Sequence, residues 1–272
     1  MKHRKEKPIY STGYKKYIRR QRFDTFFVVL IQLTLLALFI TLWEVLARTH
    51  VIDPFIFSSP SRIYETIKML IKTGVLWHHV GITVLEVVIG FTVSTVLGTL
   101  FAILLYQSSY LRRILEPYLV VLNALPKVAL GPMIIIWFGA GMQAIIVMCV
   151  LICVFLTTIS MLSAFMAVDE GKIMLMRTMQ ANRFQVLAKL VLPASFPSLM
   201  TVLKVNVGLA WVGTIMGEYL VSSAGLGYLI IYGGTVFRLD LVMASVTVLC
   251  ILAAIMYFAV AYLEKLVKRA RR

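Results

Sequence analysis

Residues 128–168 form a run of 41 positions without one charged side chain. As a single helix that run would extend about 60 Å, twice the hydrocarbon core of a bilayer. It therefore has to be two helices, and Gly139-Ala140-Gly141 supplies the break. The helices are expected over residues 118–138 and 143–165. Pro126 and Pro132 predict a kink or a short re-entrant entry in the first, tolerated at membrane depth only where protein or a cavity satisfies the freed backbone groups.

Four more segments are long and apolar enough to span: residues 25–43, 87–111, 197–221 and 241–263. The chain is 60% apolar and 14% charged, with a mean hydropathy of +0.90, a balance foreign to soluble domains of its 272 residues. The expected class is an all-α transmembrane protein of about six helices. Between the first two spans, Asp53-Pro54 and Ser59-Pro60-Ser61 make a turn. Ile63, Ile67, Leu70 and Ile71 then predict a short helix lying at the membrane surface.

The net charge of +15 is concentrated at the ends, with nine Lys/Arg in the first 25 residues and five in the last eight. Basic tails beside apolar spans suit anionic lipid, whereas no basic patch with interleaved aromatics points to nucleic acid. Counted over the connecting regions, Lys and Arg number twenty on the side shared by both termini and five on the other, which puts both termini in the cytoplasm. The expected organisation is a basic N-terminal tail (1–24), a transmembrane domain (25–265) and a basic C-terminal tail (266–272). The long basic head and the absence of an A-x-A-like site predict a retained first helix instead of a cleaved signal peptide.

Polar residues in or near the spans are the first places to seek a site. Lys127 either faces an anionic solute near a dimer axis or snorkels and starts a broken helix. Glu86 and Lys204, close to predicted span ends, are expected at the interface, as are His78 and His79. Asn123 and Asn206 are expected to hydrogen-bond between helices. Cys149, Cys153 and Cys250 read as small buried apolar residues, with no spacing for a disulfide framework or a metal.

The most informative connection is residues 167–198. Asp169 and Glu170 suit a helix start, Ile173, Met174, Met176 and Met179 give an apolar face, and Asn182 with Gln185 predicts a capping box for a second short helix that Pro193 and Pro197 limit. Taken alone, such a helical pair also fits a loop packed on headgroups. Its spacing, Met174-Leu175-Met176, three residues, Gln180, nine residues, Leu190-x-Leu192-Pro193, resembles the EAA-x3-G-x9-I-x-LP loop of bacterial ATP-binding cassette (ABC) importer permeases. Met174 stands where that family has Glu, and Gln180 where it has Gly, a residue suited to a φ > 0 turn.

Further phrases resemble the branch carrying nitrate, sulfonate and taurine-like solutes. They are Phe57-Ser58-Ser59-Pro60-Ser61, the stretch 124–132 with Trp137-Phe138-Gly139, Gly208-Leu209-Ala210-Trp211, Glu218, and Gly225-Leu226-Gly227-Tyr228, so the resemblance covers residues 25–265. It implies a MetI-like permease fold in a bacterial plasma or inner membrane. Implied partners are a second copy of the chain, ATP-binding cassette ATPase subunits and an extracytoplasmic solute-binding protein. The ATPase contact falls on Met174, Met176, Arg177, Met179, Gln180, Ala181, Asn182, Arg183 and Pro193, with Met176, Met179 and Ala181 buried against the partner and the two arginines pairing with its acids. Glu218 takes the role of a gate or of a structural hydrogen bond to the 225–227 turn.

No G-x-x-x-x-G-K-[ST] phosphate loop occurs, so no cofactor is expected on this chain, and ATP and Mg belong to the partner ATPase. The competing reading is a secondary transporter or small channel working without an ATPase. That would favour an inverted repeat or a charged relay, and neither is visible in the sequence. The resemblance implies a small organic or inorganic anion or a vitamin-precursor ring compound as solute.

Overall fold

The computed structural model describes residues 12–270, which are all-α without a strand among them. The chain divides into two compact units, Met1–Ile63 and Tyr64–Arg272.

In the first unit, α1 (Thr12–Arg48) is longer at both ends than the apolar run 25–43. The reason is that charge marks where a helix leaves the bilayer, not where it stops, and no proline interrupts residues 12–24. The rest of the basic N-terminal tail and the last two arginines lie outside the described residues. Every assigned side chain of residues 23–42 is exposed, a helix apolar all round that needs lipid or a partner as its solvent. Near its end, Glu44 accepts from Arg48 Nε (2.7 Å) and from the Ser61 N–H (3.0 Å). Asp53 caps α2 (Pro54–Phe57) by accepting from the Phe55 N–H.

The second unit is built on α4 (Val75–Gln107), α7 (Met142–Met166) and α10 (Leu192–Val221). Without a hydrophobic drive between helices in lipid, small residues and interhelical hydrogen bonds hold spans together. A Cβ built on Gly90 would come within 2.5 Å of Cys149 Sγ, and one on Gly213 within 2.8 Å of Cys149 Cα, so α7 touches both neighbours at backbone range. Asn206, fully buried on α10, donates to Thr157 Oγ1 on α7 at 2.7 Å, the interhelical bond anticipated for it. Cys149 and Cys153 are buried there, whereas Cys250 is exposed on an apolar helix face.

Around this core lie α3 (Pro60–Lys72), α5 (Ser109–Ala124), a 3-10 turn Lys127–Leu130, α6 (Gly131–Phe138), α8 (Glu170–Thr178), α9 (Arg183–Val186), α11 (Leu226–Thr235) and α12 (Leu239–Ala270). Leu70 of α3 packs with Leu76, Leu226, Leu229 and Leu241, so its apolar edge meets protein, while Ile71 is exposed.

Among the described residues five helices are long and apolar enough to cross a membrane, and six crossings result if α5 and the 127–138 segment, bent by 87°, count as one. That broken pair answers the expected span 118–138. It begins at Ser109 because Ser108 caps it, and it breaks because Leu125, preceding Pro126, is pushed to extended backbone. The Gly139-Ala140-Gly141 break is present, with φ of 81° and 147° at its glycines.

Further boundaries differ from expectation. Helix α4 starts at Val75, not at residue 87, because His79 and Glu86 are buried against neighbouring helices instead of marking an interface. Helix α12 runs on to Ala270, its end held by Glu264, which pairs with Lys204 (2.9 Å) and Lys268 (2.7 Å). Pro193 and Pro197 do not limit α9. A π-helical turn, Leu187–Val191, lets the chain stay helical from Arg183 to Val221, with Pro193 in the first turn of α10 where a missing N–H is tolerated. Helix α11 was not foreseen.

Gly213→Ala should force α7 and α10 apart at Cys149 and lower stability by about 1–3 kcal/mol, read as a lower Tm in detergent; an unchanged Tm would refute this close packing.

Candidate functional site

Between α7 and α10 the chain forms a reversed helical pair whose ends are capped by its own side chains. Asp169 Oδ1 accepts from the N–H groups of Gly171 (2.7 Å) and Lys172 (3.2 Å) to start α8. The end of α8 is a Schellman motif: the Ala181 N–H reaches Met176 O (3.0 Å) and the Gln180 N–H reaches Arg177 O (2.9 Å). Gln180 sits at its left-handed position with φ 60°, while Asn182 keeps an ordinary φ of −74°. The anticipated capping box follows, with Asn182 Oδ1 accepting from the Gln185 N–H (2.8 Å) and Gln185 Oε1 from the Asn182 N–H (2.9 Å).

Helical spacing then sorts the side chains. Ile173, Met176 and Ala181 turn inward and pack on the core of Met161, Phe165, Val186 and Leu187. Met176 and Ala181, half-buried, therefore back the pair from the side of the bundle. Met174 (67% exposed), Leu175 (63%), Met179 (76%) and Phe184 (69%) are large apolar side chains left exposed on the pair, and Arg177 and Arg183 are exposed too. Leu175 and Phe184, exposed here, were not among the candidate residues read from the sequence. Phe184, a large apolar residue two places after a helix cap amid polar neighbours, carried the signal.

A second constellation gathers at the start of α11. Its three leading N–H groups are each taken by a side chain from another helix: Gly225 by His79 Nδ1 (2.9 Å), Leu226 by Thr83 Oγ1 (2.8 Å) and Gly227 by Glu218 Oε2. Thr83 in turn donates to Glu218 Oε1 at 2.6 Å. A carboxylate at a helix N-terminus completes the orphan amides and opposes the helix dipole. Gly225 holds φ 122°, and a Cβ on Gly227 would lie 2.7 Å from Glu218 Oε2, so both positions require glycine. Glu86 approaches the same carboxyl group. Glu218, 1% exposed, makes the structural bond to the 225–227 turn.

Lys127 lies in the break of the bent pair. Its Nζ donates to Asn123 O (2.9 Å) and Oδ1 (3.3 Å), capping free carbonyl groups at the end of α5, and stands 5.7 Å from the centroid of the Phe155 ring. Asn123 thus serves its own chain turn and not a neighbouring helix.

Apolar crossings, a bundle closed by small residues and an exposed helical pair between two spans define a polytopic all-α membrane transport protein. The chain belongs to the family described as binding-protein-dependent transport system inner membrane component, whose model matches residues 94–272. It is 30% identical over 231 residues to an ABC transporter permease protein of Haemophilus influenzae, covering 85% of this chain and 94% of that one. It is 28% identical to an aliphatic sulfonates transport permease of Bacillus subtilis (86% and 84% covered) and 29% identical to a formylaminopyrimidine transport permease of Halalkalibacterium halodurans (83% and 89%). A chain of the inward-facing MetNI methionine ABC transporter shares its fold, with a TM-score of 0.61 at 21% identity over 73% of this chain and 97% of that chain. The protein is a membrane-spanning permease subunit of an ABC importer.

A side chain held at φ > 0 costs roughly 1–2 kcal/mol, of which glycine's greater unfolded freedom cancels about 0.5–1. Gln180→Gly should therefore raise stability by about 0.5–1 kcal/mol, seen as a higher Tm; a lower Tm would show that the Gln side chain has a compensating role.

Proposed function

We propose that the reversed pair α8–α9 is the surface through which a separate ATPase subunit drives this permease. The observation that carries this reading is the outward set Met174, Leu175, Met179 and Phe184, four large apolar side chains exposed on a connection with Arg177 and Arg183 beside them. Interfaces of this kind place apolar anchors at the centre and charges at the rim, so the arginines pair with acids of the ATPase. Gln180 and Asn182 set the reversal between the helices, and Met176, Ala181 and Pro193 hold the pair to the bundle. ATP and Mg reside on the ATPase.

Two copies of this chain enclose the path, and a solute-binding protein delivers solute from outside. Twenty basic residues against five across the connections support cytoplasmic termini and a cytoplasmic α8–α9. The basic stretches 1–24 and 266–272 flank the transmembrane domain as juxtamembrane tails on the cytoplasmic leaflet. The solute is a small anion of the sulfonate, nitrate or taurine-like kind or a vitamin-precursor ring, in keeping with the names of the relatives. Lys127 meets it, being the charged residue in the break of a bent span.

Met179→Asp and Phe184→Asp each put a carboxylate at the apolar centre and should weaken ATPase binding by about 2–4 kcal/mol. Pull-down of the ATPase and solute-stimulated ATP hydrolysis in proteoliposomes should both fall. Wild-type values for both variants would remove the coupling role and favour a carrier or channel working without an ATPase. Lys127→Gln should weaken transport with complex assembly and basal hydrolysis intact; wild-type transport would leave Lys127 as a cap of α5 alone.

A further inference from the structure

His79, Thr83, Glu86 and Gly90 are spaced so that they share one face of α4, and all four are buried. His79 and Thr83 are bonded to the first amides of α11, and Gly90 lets α7 approach. Glu86 has no such use. At 2% exposure its carboxyl group lies beside that of Glu218, itself 1% exposed. Glu218 accepts from Thr83 Oγ1 (2.6 Å) and from the Gly227 N–H. Glu86, by contrast, receives no hydrogen bond from an N–H or hydroxyl of the described residues, and its Oε2 is buried without a partner.

Nothing around the pair supplies positive charge for a second carboxylate. His79 accepts the Gly225 N–H at Nδ1 (2.9 Å), so its proton sits on Nε2 and the ring is neutral. Cys149 of α7 turns its Sγ toward Ala210 O at 3.6 Å. Tyr219 and Tyr228, the other titratable groups beside the cluster, carry no positive charge, and Tyr228 stacks on His79. Among the described residues the acids held in ion pairs are Glu44, Asp240 and Glu264, all outside this cluster.

We infer that Glu86 is a proton-binding site inside the bundle, a neutral carboxylic acid at neutral pH whose O–H donates to the Glu218 carboxylate. Two carboxyl groups side by side and away from water do not both ionise, and one proton serves the pair. An ionised Glu86 would be a buried acceptor without a donor, whereas the acid form turns it into a donor for its neighbour. The proton therefore ties α4 to α10 beside the Thr83 bond, and a movement that parted these helices would admit water and release it. The inference goes beyond the coupling reading and shares no residue with it.

The test is infrared difference spectroscopy of the full chain at neutral pH, in a detergent without ester or carboxyl groups, read at the C=O stretch of a protonated carboxylic acid. Wild type should show this band. Glu86→Gln, whose amide still donates to Glu218, should lose it while keeping the wild-type Tm. Glu218→Gln should keep the band at a shifted frequency, because an amide oxygen accepts more weakly than a carboxylate. Isotopic labelling of the glutamate carboxyl carbon in wild type should shift the band as well. That measurement decides the matter if a variant fails to accumulate, since Glu86 and Glu218 are the buried glutamates of the described residues. A wild-type spectrum without the band, or a band retained in Glu86→Gln, overturns the site. Loss of the band in Glu218→Gln places the proton on Glu218 and overturns the assignment. A wild-type Tm raised specifically by sodium or potassium ions, with no such rise in Glu86→Gln, assigns the space between the carboxyls to a cation and also overturns it. Because Met179→Asp should leave the band unchanged, failure of the coupling reading and failure of this site are separable.

Discussion

At Gly90 and Gly213, α4, α7 and α10 approach each other closely enough that a methyl group would collide with Cys149, and the rest of the unit hangs on that contact. In lipid the gain from association comes from packing and from buried hydrogen bonds, so a bundle of spans is only as firm as its closest approaches. Asn206 bound to Thr157 adds a polar fastening at the same level. The apolar, exposed stretch of α1 needs lipid or a partner as its surroundings.

From this rigid trio two features project. At one, His79, Thr83 and Glu218 take up the first amides of α11, tying α4, α10 and α11 together by hydrogen bonds beside the packing of Leu76 with Leu226 and Leu229. A buried carboxylate is costly unless it is fully engaged, and here two donors and a helix N-terminus engage it. At the other, the core of Phe165, Val186 and Leu187 anchors the inner face of α8–α9, leaving the outer face free for contact. The proposed coupling role needs both properties: backing by the bundle and an exposed apolar front. The π-turn at Leu187–Val191 extends this rigidity, since it keeps α9 and α10 one helical body through Pro193.

The substitutions that separate this chain from the usual loop pattern fall on different physical roles. Met174, in place of an acid, belongs to the exposed apolar set and makes that front more hydrophobic. Gln180, in place of glycine, keeps the left-handed turn at an energetic cost, and the Schellman bonds around it show that the geometry survives the change. The reversal between the two helices is therefore dictated by the backbone hydrogen bonds and not by the residue that occupies the turn.

Most of the architecture was legible in the sequence because its determinants are local. An uncharged run too long for one span demands a break, Gly139 and Gly141 permit it, Asn182 and Gln185 cap each other across three residues, and a proline bends the residue before it. What the tertiary structure alone decided were matters of partnership. His79 and Glu86 resemble boundary residues until Glu218 and Gly225, well over a hundred positions away, are brought beside them; Met176 and Met179 are indistinguishable by type until the bundle claims one and leaves the other outside. Local patterns specify which segments are helical because hydrogen bonding within a helix is short-range. Whether a polar or apolar side chain on that helix is buried, bonded or presented outward depends on which distant helix packs against it, and no window of sequence contains that neighbour.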